Sequence, residues 1–262
     1  MTEVADPQTL RIERDGRVAT VVLARPDAMN AQTRESRREL IAALKGLARD
    51  PGVGAIVLTG EGRAFCAGQD LKEEGALEGV ATTVRETYTP IVELLTGMGT
   101  PVIAAINGAA AGAGMSFALA CDLRVMAEDA ILMMAFSNIG LVPDSGGSWL
   151  LPRMVGAARA FEIAASGRRL SASEALELGL VQRVVPRERV VEEAQAWAAE
   201  LAARPPLALA WTKRMMRESL AGGLAEALER EAQMQAAAVA THDHREGVAA
   251  FLEKRPPAFE GR

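Results

Sequence analysis

Short apolar runs that alternate with helical patterns constrain the fold of this chain more than any other feature. Four runs in the first half are rich in Val, Ile, Leu and Ala, and they occupy residues 18–23, 55–59, 101–106 and 123–127. After the first run, Leu40, Leu44 and Leu47 recur at helical spacing. Because runs that are apolar throughout are typical of strands buried on both faces, the pattern predicts an α/β core with a largely parallel sheet.

Helical patterns dominate the second half of the chain. Helices are expected there over residues 150–166 and 171–178, and one more strand over residues 181–185, in addition to a helix over residues 82–95 in the first half. From residue 190 onward, Ala, Glu, Leu, Arg and Met make up most of the sequence. We predict a core over residues 1–195 and a helical region over residues 196–262, whose apolar surface favours oligomerisation.

Composition limits the kinds of partner and site that this chain can have. The chain carries 29 Lys and Arg against 34 Asp and Glu, and this acidic balance argues against a nucleic-acid partner. Its two histidines, His242 and His244, lie two positions apart and would not share one helical face. Its two cysteines, Cys66 and Cys121, are far apart, which excludes a Cys-ligated zinc site and a disulfide framework and suits a reducing cytoplasm.

Membrane and export signals are not expected in this sequence. Residues 1–14 are polar and lack the apolar run of a signal peptide. Residues 102–121 carry no charge but are rich in Ala and Gly, whereas a spanning helix needs about 20 predominantly apolar residues. We therefore expect a buried strand and a buried helix there, no membrane partner and a cytoplasmic location.

Two glycine-rich segments each follow a predicted strand. They are Gly62–Leu71 and Asn107–Met115, and neither contains the G-x-G-x-x-G or the P-loop spacing. Small residues allow backbone N–H groups to approach a ligand closely, so two such turns can form an oxyanion hole. The alternative is that these glycines only permit tight turns and close helix packing, and the spacing leaves both open.

Asp144 is isolated in an apolar segment. Between residues 130 and 152 it is the only ionisable acid or base. Desolvation raises the pKa of such a carboxyl group and makes it a stronger base once it is ionised. The alternative is that Asp144, or its neighbour Ser145, caps a helix that begins near Gly147.

Several motifs make the chain recognisable from residue 18 to its C-terminus. They are Arg25-Pro-Asp-Ala-Met-Asn30, Ala64-Phe-Cys-Ala-Gly-Gln-Asp-Leu71, Pro101-Val-Ile-Ala-Ala-Ile-Asn-Gly108, Gly140-Leu-Val-Pro-Asp-Ser-Gly-Gly147 and Glu246-Gly-Val-Ala-Ala-Phe-Leu-Glu-Lys-Arg255. With these motifs the sequence resembles the crotonase, or enoyl-CoA hydratase/isomerase, superfamily. The resemblance implies an α/β fold with a ββα superhelix core and a helical C-terminal trimerisation region. It also implies a homotrimer or homohexamer.

The same resemblance implies an acyl-CoA thioester substrate, with coenzyme A as part of the substrate and no metal or redox cofactor. Its thioester oxygen would be held by the backbone N–H groups of Gln69 and Ala113. The residues implied to hold the CoA moiety are Arg25, Ala28, Ala67, Asp70 and Leu71, together with Phe251 and Lys254 from a neighbouring subunit.

The acid/base positions depart from the hydratase pattern. Where typical hydratases carry two glutamates, this sequence has Ser116 and Phe136, and where they carry a glycine it has Asp144. That arrangement resembles the 1,2-epoxyphenylacetyl-CoA isomerase branch of the superfamily, which belongs to phenylacetate degradation. The expected activity is therefore acyl-CoA isomerisation, of a ring epoxide or of a 3-enoyl-CoA, with Asp144 as proton shuttle. The alternatives are an enoyl-CoA hydratase of fatty acid metabolism and a non-catalytic acyl-CoA-binding protein.

Overall fold

The computed structural model describes residues 9–262. The strands are β1 (Leu10–Asp15), β2 (Val18–Leu23), β3 (Ala55–Gly60), β4 (Ala64–Cys66), β5 (Val102–Ile106), β6 (Ala109–Ala111), β7 (Leu123–Ala127), β8 (Ile131–Met133), β9 (Arg169–Ser171) and β10 (Arg183–Val185). The helices are α1 (Arg34–Arg49), α2 (Val80–Thr83), α3 (Thr89–Gly97), α4 (Ala113–Ala120), α5 (Gly147–Val155), α6 (Ala157–Ser166), α7 (Ala172–Glu177), α8 (Val190–Ala202), α9 (Pro206–Glu218), α10 (Leu224–Val239) and α11 (His242–Glu253).

The first sheet has six strands in the order β1-β2-β3-β5-β7-β10. β1 and β2 pair antiparallel, and every other pair in this sheet is parallel. The strands β2, β3 and β5 are buried along their whole length, as their largely apolar sequences require. The predicted α/β class and the predicted central strands are confirmed.

The second sheet is smaller and has the order β4-β6-β8-β9. Each of β3, β5 and β7 in the first sheet is followed by a short strand of the second sheet, and helices then follow. This repeat is the ββα unit that the resemblance implied. Its consequence for function is that the turns after β4 and β6, both in the second sheet, come to lie side by side.

Two helices, α1 and α4, pack next to these turns. On α1, Leu40, Leu44 and Leu47 are buried against the core, and the side chain of Thr33 caps its N-terminus by accepting a hydrogen bond from the Ser36 N–H. α4 is buried at every position and consists mainly of Ala, Gly and other uncharged residues. The uncharged stretch is therefore a core strand and a core helix, as predicted.

Some elements differ from the sequence expectation. The helix expected over residues 150–166 is divided into α5 and α6 at Gly156, whose φ is +79°. The helix expected over residues 82–95 contains a π-helical turn, Val84–Tyr88, between α2 and α3. The strand expected over residues 181–185 is present as β10. β1 and the other three-residue strands, β4, β6, β8 and β9, were not expected: β1 is largely charged, and three residues are too few to show a pattern.

The C-terminal helices follow the breaks that the sequence contains. α8 packs its small residues Ala194 and Ala198 into the core, so residue 195, the predicted boundary, falls inside a core helix. The division into two regions stays a prediction. α9 is tied to the core by ion pairs from Lys213 and Arg217 to Asp122, with N–O distances of 2.8 and 3.2 Å. Among residues 9–262, no helix has the length and apolar character to cross a membrane.

Candidate active site

A cavity of about 310 Å³ opens beside the turns that follow β4 and β6. Its apolar walls come from two segments, residues 71–84 and residues 133–141. The apolar side chains that line it are Leu71, Leu77, Val80, Val84, Met133, Phe136, Ile139 and Leu141. Polar side chains are few, and Asp144 is the only carboxylate among the lining residues that the structure describes. A large apolar pocket with a few convergent polar groups is the usual form of a small-molecule site.

Two glycines bring the turns into direct contact. Gly68 has a φ of +90°, and a Cβ at this position would lie 2.9 Å from the carbonyl oxygen of Ala111 and 3.3 Å from the nitrogen of Ala113. A Cβ on Gly114 would lie 2.0 Å from the carbonyl oxygen of Cys66. Only glycine fits at either position, so the close approach of the two turns depends on these two residues.

The two turns leave one amide each facing the cavity. The Gln32 N–H donates to the Gly68 carbonyl at 2.7 Å, and the Asp70 N–H donates to the Gln32 carbonyl at 3.0 Å. In such a parallel bridge the N–H of the residue between, Gln69, points the other way. Ala113 is the first residue of α4, where an N–H has no partner within the helix. Within residues 9–262, neither amide donates to a backbone carbonyl.

Asp144 lies on the same cavity, on the loop that leads into α5. Burial raises the pKa of its carboxyl group, while a hydrogen bond from the Ser145 hydroxyl at 2.8 Å and the charge of Arg37 act in the opposite direction without cancelling the effect. The helix-capping alternative is wrong, because α5 has no side-chain cap. Gly147 donates instead to the backbone carbonyl of Asp144 at 2.8 Å.

The two positions that the resemblance assigns to the glutamates of a typical hydratase hold no acid. Ser116 is fully buried on α4, and its hydroxyl donates to the backbone carbonyl of Asp144 at 3.1 Å. Phe136 places its ring in the cavity wall. The hydrogen bond from Ser116 thus connects α4 to the loop that carries Asp144. At the other of the two positions, the aromatic ring of Phe136 takes the place of a carboxylate.

Five of the seven residues expected at the CoA site lie on or next to the turn that follows β4, and two are exceptions. Arg25 forms an ion pair with Asp70 at 2.9 Å and also donates to the carbonyl of Ala31. Burial alone would raise the pKa of Asp70, but the hydrogen bonds from Arg25 and from the Lys72 N–H outweigh it and leave that pKa lowered.

Ala67 and Leu71 line the cavity itself. Ala28 lies in the neighbouring turn, where the Ala31 N–H donates to its carbonyl at 3.0 Å. Ala28 is next to the turn after β4, since the Ala67 N–H donates to the carbonyl of its neighbour Met29 at 3.0 Å. Contact of these residues with CoA stays a prediction.

Phe251 and Lys254 are the exceptions, because they lie at the far end of α11. Phe251 is 82% exposed and lines a separate apolar hollow with Trp211 and Phe259. Lys254 ends α11 with a φ of +56°. Within one chain the structure does not bring them to the cavity, and their role in a neighbouring subunit stays a prediction.

Arg37 and Tyr88 were missed by the sequence reasoning. Arg37 is buried on α1, and its Nη1 donates to the side-chain oxygen of Gln69 at 2.8 Å and to the hydroxyl of Tyr88 at 3.1 Å. The Tyr88 hydroxyl donates to the same Gln69 oxygen at 2.6 Å. One signal was available, because Arg37 stands three residues before Leu40 on the apolar stripe of α1, where a charge is unexpected.

The cysteines and acidic groups form no second site. Burial raises the pKa of Cys66 to about 11 and that of Cys121 to about 12, so both are protonated thiols, and both are unpaired. Over residues 9–262, no three His, Cys, Asp or Glu side chains are grouped so that they could hold a metal ion.

Comparison with known proteins shows the same architecture elsewhere. Residues 13–262 match the family model described as enoyl-CoA hydratase/isomerase. A probable enoyl-CoA hydratase of Rhodobacter capsulatus is 46% identical, over 97% of this chain and 98% of that protein. The 1,2-epoxyphenylacetyl-CoA isomerase of Escherichia coli is 41% identical, over 94% of this chain and 95% of that protein. The enoyl-CoA hydratase structure from Bacillus anthracis superimposes with a TM-score of 0.92 at 35% identity, over 97% and 100% of the two chains.

Proposed function

The chain belongs to the enoyl-CoA hydratase/isomerase family, and from that premise we propose that it is an acyl-CoA isomerase with a single acid/base residue, Asp144. One observation carries the proposal. The described cavity has one carboxylate, Asp144, and the two positions that the family resemblance assigns to the glutamates of a typical hydratase hold Ser116 and Phe136.

The thioester oxygen would accept hydrogen bonds from the N–H groups of Gln69 and Ala113. When a proton leaves the carbon next to the thioester, negative charge moves onto that oxygen, and two preorganised amides stabilise the resulting enolate. One such donor contributes about 3 kcal/mol to lowering the barrier. Because these donors belong to the backbone of two turns in contact, they need no reorganisation during the reaction.

Asp144 would carry the proton. With a 3-enoyl-CoA, its carboxylate removes a proton from C2, the electron pair shifts the double bond from C3–C4 to C2–C3, and the same proton is returned to C4. One carboxylate suffices because the base is restored in the second step. A raised pKa strengthens Asp144 as a base, while Arg37 and the hydroxyl of Ser145 favour its ionised form.

The finer substrate proposal is 2-(1,2-epoxy-1,2-dihydrophenyl)acetyl-CoA. Its support is the similarity to the Escherichia coli isomerase and the apolar walls of the cavity, among them the ring of Phe136. In that substrate the C1–C2 bond shared by the epoxide and the ring would break, so that the oxygen becomes a member of a seven-membered ring. Asp144 would remove a proton from the carbon next to the thioester and return it to a ring carbon. Membership of phenylacetate catabolism is part of the same proposal.

Hydration is the second candidate, because the Rhodobacter capsulatus relative is described as a probable hydratase. Adding water to a double bond requires groups that activate water and deliver a proton to the α-carbon. With Asp144 as the one acid of the cavity, we expect the isomerase reaction to be much faster than hydration. A non-catalytic acyl-CoA-binding role is the third candidate, and a complete lack of turnover would favour it.

The test uses the ultraviolet absorbance of the conjugated thioester. We expect conjugation to appear when the protein is given a 3-enoyl-CoA, and little to be lost when it is given crotonyl-CoA. The Asp144→Asn variant should bind both thioesters and turn over neither. Rapid loss of conjugation from crotonyl-CoA would establish a hydratase instead, and full activity of Asp144→Asn would remove Asp144 from the mechanism.

We also propose a homotrimer or homohexamer in the cytoplasm, with coenzyme A entering only as part of the substrate. Exposed apolar residues on α10 and α11, such as Leu224 and Phe251, favour assembly. Phe251 and Lys254 of one subunit would then reach the CoA of another. The buried free thiols of Cys66 and Cys121 suit a reducing compartment.

A further inference from the structure

We propose that Arg37 is a positioning residue for the isomerase reaction, which holds the backbone N–H of Gln69 toward the substrate oxygen and places a positive charge beside the cavity that contains Asp144. The inference rests on the proposed function. It concerns a side chain that does not line the cavity and acts through its neighbours.

The surroundings of Arg37 are unusual for a buried cation. Its side chain is 1% exposed, and within residues 9–262 no carboxylate lies within 4.0 Å of its guanidinium. Its hydrogen bonds go to uncharged acceptors, including the Gln32 carbonyl at 3.0 Å and the Thr87 hydroxyl at 2.8 Å. Its guanidinium carbon also lies 4.6 Å from the centre of the Tyr88 ring. A buried charge without a partner is costly, so a structural role alone is a weak reason for a cation here.

The hydrogen bonds of Arg37 fix the conformation of Gln69. The Gln69 side-chain oxygen accepts from both Arg37 and Tyr88, at 2.8 and 2.6 Å. Its side-chain nitrogen donates to the Asp70 carbonyl at 3.3 Å and to the Glu73 carboxylate at 3.4 Å. With the side chain anchored on one side and the backbone bridged to Gln32, the remaining N–H of Gln69 has one direction available, into the cavity.

The charge of Arg37 also bears on the proton transfer. Of the groups that face Asp144, Ser145 is neutral, and burial raises the pKa of Tyr88, so that hydroxyl remains protonated and neutral. When Asp144 takes the proton, negative charge passes from its carboxylate to the thioester oxygen beside Gln69. Arg37 is hydrogen-bonded to the side chain of Gln69, and its positive charge favours the ionised form of Asp144. One cation therefore stabilises negative charge both on the carboxylate and on the thioester oxygen.

The experiment compares Arg37→Met with Arg38→Met, a matched control on the same helix whose side chain is exposed. The first readout is kcat/KM for 3-enoyl-CoA isomerisation as a function of pH. We expect Arg37→Met to lose on the order of 10- to 100-fold in kcat/KM and to shift the acidic limb to higher pH, because loss of a nearby cation raises the pKa of Asp144. Arg38→Met should leave both unchanged.

The second readout does not require turnover. The carbonyl stretch of hexanoyl-CoA, labelled with ¹³C at the thioester carbonyl, should shift to lower frequency on binding, since the amides polarise it. Arg37→Met should reduce that shift, and Tyr88→Phe, which removes one hydrogen bond to Gln69 without changing charge, should reduce it less and leave the acidic limb in place.

The outcomes separate the two proposals. If the wild type isomerises no 3-enoyl-CoA or ring epoxide, the proposed function fails, and the carbonyl shift still decides whether Arg37 positions the amide. If the wild type turns over and Arg37→Met keeps its carbonyl shift and its acidic limb, the positioning role is overturned. If Arg37→Met does not fold, Tyr88→Phe decides, and an unchanged carbonyl shift in that variant overturns the proposal.

Discussion

Asp144 combines properties that stability alone would not select. Its carboxyl group sits in an apolar wall, receives one hydrogen bond from the hydroxyl of Ser145, and caps no helix. Burial therefore raises its pKa, which means that ionising this group in the folded protein costs free energy. Its charge is kept at the expense of stability, and that is the pattern expected of a group used in chemistry.

This cost predicts the behaviour of Asp144→Asn. A folded-state pKa raised above the unfolded value gives a stability contribution that is complete below about pH 4 and is lost as pH rises through the folded pKa. We expect Asp144→Asn to have a higher Tm than the wild type at pH 7, and the difference to vanish near pH 3. Thermal unfolding at the two pH values measures this, and a lower Tm at pH 7 would contradict it.

Gly68 tests whether the contact between the turns is needed. Gly68→Ala places a Cβ 2.9 Å from the Ala111 carbonyl at a φ of +90°, so we expect a loss of about 1–3 kcal/mol in the free energy of unfolding and a loss of turnover. Gly46→Ala is the control, because Gly46 lies inside α1 with nothing within 4 Å of an added Cβ. It should gain about 0.5–1 kcal/mol. Urea denaturation distinguishes the two, and equal effects would refute the steric explanation.

At the scale of secondary structure elements, the site depends on the positions of α1, α4 and the two turns. The position of α9 depends instead on ion pairs with Asp122. The side chain of Lys213 on α9 is largely buried, and burial lowers its pKa even though Asp122 acts in the opposite direction. It donates to the carbonyl of Leu95 and pairs with Asp122, whose other oxygen pairs with Arg217. Asp122 thus joins the N-terminal end of β7 to α9.

Removing the carboxylate at this junction should be costly. We expect Asp122→Asn to lose about 3–5 kcal/mol in the free energy of unfolding, because Lys213 would remain buried without a counter-charge. Glu13→Gln, which breaks an exposed ion pair with Arg11, should lose no more than about 1 kcal/mol. Denaturant titration compares them, and a loss below about 1 kcal/mol in Asp122→Asn would mean that the ion pairs do not hold α9.

The sequence predicts those elements of this fold that carry a clear local pattern. The central strands are continuous apolar runs and α1 has a helical period, whereas β4, β6 and β8 have three residues each and show no pattern. Asp144 was visible because it is alone in an apolar segment. Arg37 and Tyr88 were not, since their roles come from a tertiary contact with Gln69 that joins α1, the π-helical turn and the turn after β4.

On the scale of the whole molecule, the C-terminal helices carry apolar surface that one chain does not cover. Leu224 and Leu228 on α10 are exposed, the first of them by 76%, and Phe251 on α11 is more exposed still. Surfaces of this kind are typical of subunit interfaces. The proposed assembly would cover them.

Charged substitutions on α10 test that assembly. We expect the double variant Leu224→Glu, Leu228→Glu to lose the oligomer, because burying two carboxylates in an apolar interface is unfavourable. Phe161→Glu is the control, since Phe161 is 75% exposed on α6, outside the C-terminal helices. Light scattering after size-exclusion chromatography gives the mass of each. An intact oligomer in the double variant would place the interface elsewhere.

The close contact of the turns at Gly68 and Gly114 has a consequence for how this chain can change. The amides of Gln69 and Ala113 belong to the main chain. Substitutions at Asp144, Ser116 or Phe136 therefore leave both N–H donors in place. Activation of the thioester thus depends on the glycines that let the turns meet. The choice of reaction depends on a few side chains that can be replaced. A library of variants at those side chains would sample new acyl-CoA reactions while both backbone N–H donors are retained. This cavity is therefore a favourable starting point for laboratory evolution.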